Sequence, residues 1–159
     1  LFEFVVLDTM QAGLSWQMIL HKRENFRKAF DDFCAEKIVR YSDDKIELLM
    51  QDAGIIRNRA KIQATVKNAK GFLVAQKEYG SFSDYLWSFV GGVPIVNTCR
   101  ESSNIATHST ESDAMSVDMK RRGFSFVGTT ICYAFMQGAG LVNDHLVDCF
   151  RYSEVQKMI

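Results

Sequence analysis

A chain of 159 residues suits one hydrophobic core and is short for two, since single domains commonly close at about 100 to 200 residues. Apolar side chains make up 47% of it, with 12 Phe and 2 Trp, which excludes a globally disordered chain. Its 19 basic and 19 acidic residues cancel, which excludes a polyanion-binding protein that works through its overall field.

Any polyanion binding must therefore come from local clusters: His21-Lys22-Arg23, Arg57-Asn58-Arg59-Ala60-Lys61 and Lys120-Arg121-Arg122-Gly123. Such short runs are otherwise ordinary solvated faces. Cys34, Cys99, Cys132 and Cys149 are scattered, with no close pair, which argues against a secreted disulfide framework and fits a reducing compartment. No apolar run is long enough to span a bilayer and no signal peptide is visible, so a cytoplasmic protein without a membrane partner is expected. The chain starts at Leu1 inside an apolar stretch rather than at Met, which suggests a fragment, a processed form or an incomplete record.

The chain's one proline, Pro94, leaves long stretches free to be helical, and an all-α fold is predicted. Near the start, Asp8 follows Phe4-Val5-Val6-Leu7, where an unpaired carboxylate is costly, so a partner is expected. A cap on the neighbouring turn or a pairing arginine would serve. From Trp16, the positions Trp16, Ile19, Leu20, Phe26, Ala29 and Phe30 share one helical stripe. Next, Tyr41-Ser42-Asp43-Asp44 supplies a cap and first-turn acids for a helix carrying Ile46, Leu48, Leu49 and Met50 and stopped by Gly54. Ile62, Val66, Ala69 and Leu73 mark a long helix that ends near Gly71 or Gly80. A compact apolar helix with Tyr85, Leu86, Trp87, Phe89 and Val90 closes at Gly91-Gly92. Residues 92–110 read as a long connection, residues 112–122 as a helix with a basic end, and residues 128–138 as a buried helix.

The stretch Asp52-Ala53-Gly54-Ile55-Ile56-Arg57-Asn58-Arg59-Ala60-Lys61 places a glycine turn directly before a basic helix start. Free backbone N–H groups and a positive dipole end make such a start a phosphate seat, which Arg57, Arg59 and Lys61 would strengthen. It is equally an ordinary connection between helices. The pattern, over about residues 45–70, resembles a helix-hairpin-helix, a motif that anchors the DNA backbone and carries no base specificity.

The resemblance becomes specific at Leu7-Asp8-Thr9-Met10-Gln11-Ala12-Gly13-Leu14-Ser15-Trp16, followed by Lys22-Arg23-Glu24-Asn25-Phe26. Three further blocks agree in order: residues 52–61, residues 122–130 and Gly140-Leu141-Val142-Asn143-Asp144-His145. Together they resemble the DNA-3-methyladenine glycosylase I family, of the helix-hairpin-helix glycosylase superfamily, over essentially the whole chain. That resemblance implies a two-lobed, all-helical fold forming a single glycosylase domain over residues 1–159. It also implies hydrolysis of the bond between deoxyribose and 3-methyladenine after the nucleotide is flipped out of alkylated double-stranded DNA. Such an enzyme is expected to be a bacterial monomer working at the nucleoid, to need no organic cofactor, and to leave an abasic site uncut.

The resemblance also assigns roles. Asp8 matches the family's acidic residue that accepts hydrogen bonds from the flipped base and stabilises positive charge; many members carry the longer Glu there. Trp16 matches a residue that stacks on the base, although its plain reading is core. Gly13 and Leu14 match positions that enter the gap left in the duplex, and Gly54, Arg57, Arg59 and Lys61 match the backbone anchor. His145 and Cys149, four apart and so one helical turn from each other, match two of four ligands of a structural zinc. The other two, with aromatic residues that enclose the base, belong to an N-terminal segment expected to be missing, and weak folding and poor activity follow if it is. Non-catalytic DNA binding, or an altered alkyl-base range suggested by Asp8 and Ala134, are the alternatives.

Overall fold

The computed structural model describes residues 1–157. Ten α-helices run through them: α1 (Phe2–Gln11), α2 (Trp16–His21), α3 (Arg23–Ala29), α4 (Ala35–Ile38), α5 (Asp43–Gln51), α6 (Arg59–Tyr79), α7 (Phe82–Trp87), α8 (Thr110–Arg121), α9 (Thr129–Gly138) and α10 (Phe150–Gln156). Extended structure among the described residues is one parallel pair of two-residue strands, β1 (Ile95–Val96) and β2 (Val142–Asn143). The all-α expectation therefore holds, and no helix among the described residues is long and apolar enough to cross a membrane.

The caps follow from short polar side chains at the helix starts. Ser15, Ser42, Asn58 and Ser81 each accept a hydrogen bond from a backbone N–H in the first turn of the helix that follows, which meets one of the orphan donors there. Ser109 and Ser112 form a reciprocal capping box at α8. The stripe expected to run unbroken from Trp16 to Phe30 is divided at Lys22, whose φ of −97° and ψ of 0° bend the chain between α2 and α3. Leu20 is left 55% exposed. The connection over residues 92–110 carries β1 and a short 3-10 turn (Ser102–Asn104).

Helix α1, apolar on most of its surface, is buried from Val5 to Met10, as a helix enclosed by neighbours must be. It contacts α6 on one side and α9 on another. The long α6 also packs on α4, α5 and α7, and α8 pairs with α9. Gly71 allows α6 its close contact: an added Cβ there would lie 2.4 Å from the Phe124 ring. Gly80, at φ +87°, ends that helix in a backbone conformation that suits glycine.

Two of the three basic clusters turn out to hold the fold together. Arg23 pairs with Glu3 at 2.6 Å, and Lys22 donates from Nζ to the carbonyls of Ala53 (3.1 Å) and Gly54 (3.2 Å). Arg122 joins Glu78 and Asp118 at 2.6 and 2.5 Å and lies over the rings of Tyr79 and Tyr85, while Arg121 also pairs with Asp118. Side chains so used are not a free phosphate-binding face.

Candidate active site

Asp8 lies at the end of the second turn of α1 and is only 5% exposed. Its Oδ2 is buried with no hydrogen-bond partner among the described residues, so the partner expected from the sequence, whether cap or arginine, is absent there. With no compensating cation, burial raises the carboxyl from its ordinary value of 3.8 to about 7. Burial thus penalises the charged form of a carboxyl that titrates near neutral pH, a common mark of a functional site.

The Asp8 side chain faces a small cavity walled by Thr9, Met115, Met119, Phe126, Cys132 and Phe135, among others. Its volume of about 20 Å³ matches a water molecule rather than a purine. Phe126 is the most exposed wall residue: it is 37% exposed and has φ 59°, a strained conformation for a bulky side chain. Burial also pushes the Cys132 thiol up to about 12, which leaves it an inert wall atom.

Fixed polar contacts hold the loop that carries Phe126. Asn68, wholly buried in α6, donates from Nδ2 to Thr9 Oγ1 (3.0 Å) and to the Ser125 carbonyl (3.1 Å), and its Oδ1 accepts from the Ser125 N–H (2.8 Å). Ser116 donates to the Val127 carbonyl at 2.6 Å. Neither Asn68 nor Ser116 was singled out from the sequence, because an isolated polar residue on an apolar stripe carries no local signal of its partners.

Trp16 does not share the Asp8 cavity. It lines a separate open groove with Leu1, Glu3, Phe4, Leu7 and Arg23. Its ring stacks on Phe4 at 6.2 Å and 22°, and Phe4 in turn meets Phe135, in the Asp8 cavity wall, at 5.2 Å. The two residues assigned to the base thus line different cavities in this structure: side chains from α1 and α9 fill the space between them, and a row of aromatic rings joins the two.

Residues 11–14 form a tight turn at the end of α1. The Leu14 N–H donates to the Gln11 carbonyl at 2.6 Å, Ala12 has φ −42° and ψ 113°, and Gly13 has φ +75°, the geometry of a type II turn. Gln11 Nε2 donates to the Leu14 carbonyl at 2.7 Å, so this amide braces the turn. Gly13 is exposed with open space around it, and Leu14 is half-buried against the core.

The connection between α5 and α6 is tied to Lys22 and Asn25 at the start of α3. Asp52 Oδ1 accepts the Gly54 N–H at 2.7 Å, and the Gly54 carbonyl accepts from Lys22 Nζ and Asn25 Nδ2, both at 3.2 Å. Gly54 is thus a close-packing point whose N–H is already used, and it offers no free donor to phosphate. At the start of α6, Asn58 takes the Lys61 N–H; the N–H groups of Arg59 and Ala60 have no acceptor among the described residues. Arg57 is exposed. Arg59 forms a two-pronged pair with Glu47 at 2.5 and 2.7 Å, so its charge is partly countered.

Lys61 contradicts its expected phosphate contact. Its side chain runs inward, 5% exposed, and Nζ donates to the carbonyls of Met10 (2.7 Å) and Ala12 (2.6 Å). Burial lowers the proton affinity of this amine, and the two orphan carbonyls at the negative end of α1 are the acceptors that compensate for it.

His145 Nδ1 and Cys149 Sγ lie 3.8 Å apart, near the roughly 3.6 Å edge that zinc–nitrogen and zinc–sulfur bonds of tetrahedral geometry imply. They meet across a turn that leads into α10, with Cys149 as its N-cap, rather than along one helix as the spacing suggested. No group of three or more such donors occurs among the described residues, so the pair fits half of a zinc site. Behind it, Asp144 accepts from Asn97, Tyr133 and Gln137 at 2.6, 2.8 and 2.6 Å, which fixes the backbone before His145.

Comparison with known proteins agrees in sequence and shape. The sequence model of the methyladenine glycosylase family matches residues 1–152. DNA-3-methyladenine glycosylase 1 of Escherichia coli (strain K12) is 49% identical over 152 residues, covering 96% of this chain and 81% of that protein. The DNA-3-methyladenine glycosylase of Haemophilus influenzae is 49% identical over 149 residues, covering 94% and 80%. A crystal structure of 3-methyladenine DNA glycosylase I superposes with a TM-score of 0.90 at 47% identity, covering 94% of this chain and 82% of that one. The Staphylococcus aureus enzyme, solved for 3-methyladenine recognition, gives 0.90 at 38% identity, covering 94% and 79%. Identity over nearly all of this chain and a shared helical architecture agree: this chain belongs to the methyladenine glycosylase family.

Proposed function

We propose that the Asp8 carboxyl is the electrostatic centre of a base-excision reaction in which this chain hydrolyses the N-glycosidic bond of 3-methyladenine in alkylated DNA. The chain's relatives carry that activity in their names, and the observation that carries the residue assignment is the buried, unpartnered Asp8 carboxylate. An N3-alkylated purine is cationic in DNA. Its charge supplies the partner that Asp8 lacks, and the pair forms only when the damaged nucleotide leaves the stack. A neutral adenine offers no such gain, so discrimination lies in charge as well as shape.

Bond cleavage needs little acid catalysis, because the cationic base takes the bonding electrons and leaves neutral. Water adds to the sugar carbon and its proton goes to solvent, leaving an abasic site. Asp8, when ionised, stabilises the positive charge that moves onto the sugar, an effect that grows in a water-poor site. Neither the Asp8 cavity nor the Trp16 groove is lined by lysine, and a Schiff base with strand scission is not part of the scheme. The cavity is too small for a purine, so the base edge reaches Asp8 as Phe126 yields, while Trp16 provides a flanking aromatic face.

The duplex lies across the exposed turn over residues 11–14 and the hairpin between α5 and α6. Gly13 and Leu14 enter the vacated gap; Arg57, Arg59 and the free N–H groups at the start of α6 hold the backbone, with Gly54 shaping the hairpin. In this arrangement one monomer serves one double-stranded site. His145 and Cys149 serve as two ligands of a structural zinc, with its other donors supplied from outside the described residues; zinc there would tie the α10 turn to another segment. Methylated duplex DNA incubated with this chain should release free 3-methyladenine, identified by mass, and leave alkali-labile but uncut strands. Duplex binding without release of any base would overturn the reading.

A further inference from the structure

The turn over residues 11–14 and the start of α6 are 45 or more residues apart in the chain, yet one side chain joins them. Lys61 occupies the first turn of α6. Its N–H bonds to Asn58 Oδ1 at 3.2 Å, its carbonyl accepts from Thr65 Oγ1 at 3.0 Å, and its ammonium spans to Met10 and Ala12. Two of the ammonium's donors are thereby committed to backbone that ends α1 and begins the turn. Asp8 lies in the same helix end, one helical turn before Ala12, whose N–H bonds the Asp8 carbonyl. On the other flank Lys22 and Asn25 hold the hairpin at Ala53 and Gly54.

Residue 61 therefore has its backbone in the proposed phosphate anchor and its charge in the turn proposed to enter the duplex gap. A surface lysine serving phosphate would extend into solvent. This one is 5% exposed and satisfied by carbonyls, a use of a cation at a helix C-terminus that fixes the end of the helix. We propose that Lys61 is a positioning residue for base excision: its ammonium sets the turn over residues 11–14 and the Asp8 end of α1 relative to the DNA-backbone anchor. The inference rests on the reading that this turn enters the duplex gap. Backbone binding then delivers the turn in register, and loss of the ammonium uncouples the two without removing a phosphate contact.

The test is Lys61→Met, which keeps the length of the side chain and removes its donors. Three quantities are measured beside wild type: single-turnover release of 3-methyladenine from methylated duplex, affinity for undamaged duplex from 50 to 200 mM salt, and fluorescence of 2-aminopurine beside the damaged base. Displacing the turn by the order of 1 Å should slow release by about 100-fold and remove the 2-aminopurine signal. Duplex affinity and its salt slope should remain within error of wild type. A slope lower by about 1 would instead make Lys61 a phosphate contact and overturn the proposal, as would wild-type release. If Lys61→Met does not fold, the ammonium resonance of Lys61 in the wild-type protein decides. It should exchange slowly and stay unchanged when duplex is added; fast exchange or a shift on binding refutes the assignment. Failure of the wild-type chain to release base marks failure of the parent reading, and the resonance still judges Lys61.

Discussion

Asp8→Asn isolates the electrostatic cost at the centre of the site. Burial raises the Asp8 carboxyl from 3.8 to about 7, and each tenfold change in proton affinity is worth about 1.4 kcal/mol. Once both folded and unfolded chains are ionised, the carboxylate therefore costs about 4 kcal/mol as an upper bound. The sign follows from proton binding. Between pH 3.8 and about 7 the folded chain holds the proton and the unfolded chain does not, so stability falls as pH rises through that window and levels off above it. From pH 5 to pH 8 the expected loss is about 2 to 3 kcal/mol. Asn cannot ionise; its buried amide adds an offset of about 1 to 3 kcal/mol that does not change with pH. Urea unfolding of both proteins at pH 5, 6, 7 and 8 gives the difference directly, since every other titrating group cancels between them. The mutant should gain on wild type from pH 5 to about 7 and then hold that gain to pH 8. A difference that is flat with pH would show that Asp8 is solvated or paired and would remove the basis for its role.

Gly71→Ala gains about 1 kcal/mol of helix propensity but drives a methyl into the Phe124 ring at 2.4 Å; a net loss of about 1 to 3 kcal/mol is expected in urea unfolding, and a stabilised protein would contradict the packing described. Asn68→Ala removes three hydrogen bonds to Thr9 and Ser125 and should cost about 2 to 4 kcal/mol, with slower base release because the Phe126 loop loses its tie; release at the wild-type rate would contradict that. The rate of 3-methyladenine release at limiting substrate should rise with pH up to about 7, where Asp8 becomes ionised, and then flatten. A rate that falls over that range would mean that the protonated acid is the active form.

Much of the frame was legible because it is encoded locally. Ser42 and its acids announced α5, the spacing of Ile62, Val66 and Ala69 announced α6, and the burial of Asp8 followed from its apolar neighbours. Directions across the fold were not legible. Lys61 reads like any cation in a helix's first turn, and only the carbonyls of Met10 and Ala12, some 50 residues earlier in the chain, turn it inward. The divide at Lys22 was hidden because the apolar spacing continues through it while the backbone does not. Asp8 and Trp16 fell into separate cavities because Phe4 and Phe135 fill the space that joins them, a matter of side-chain packing with no periodic signature. His145 and Cys149 met as their spacing implied, yet through a turn, since a separation of four suits both a helix and a tight reversal.

The central claim, that a buried carboxylate awaiting a cationic base drives excision, is tested most directly by single-turnover release of 3-methyladenine from methylated duplex by the wild-type chain and by Asp8→Asn, with enzyme in excess at pH 7.5. Loss of the charge should slow release by about 100-fold or more while affinity for undamaged duplex is unchanged. Equal rates for the two proteins would place the chemistry elsewhere and contradict the account.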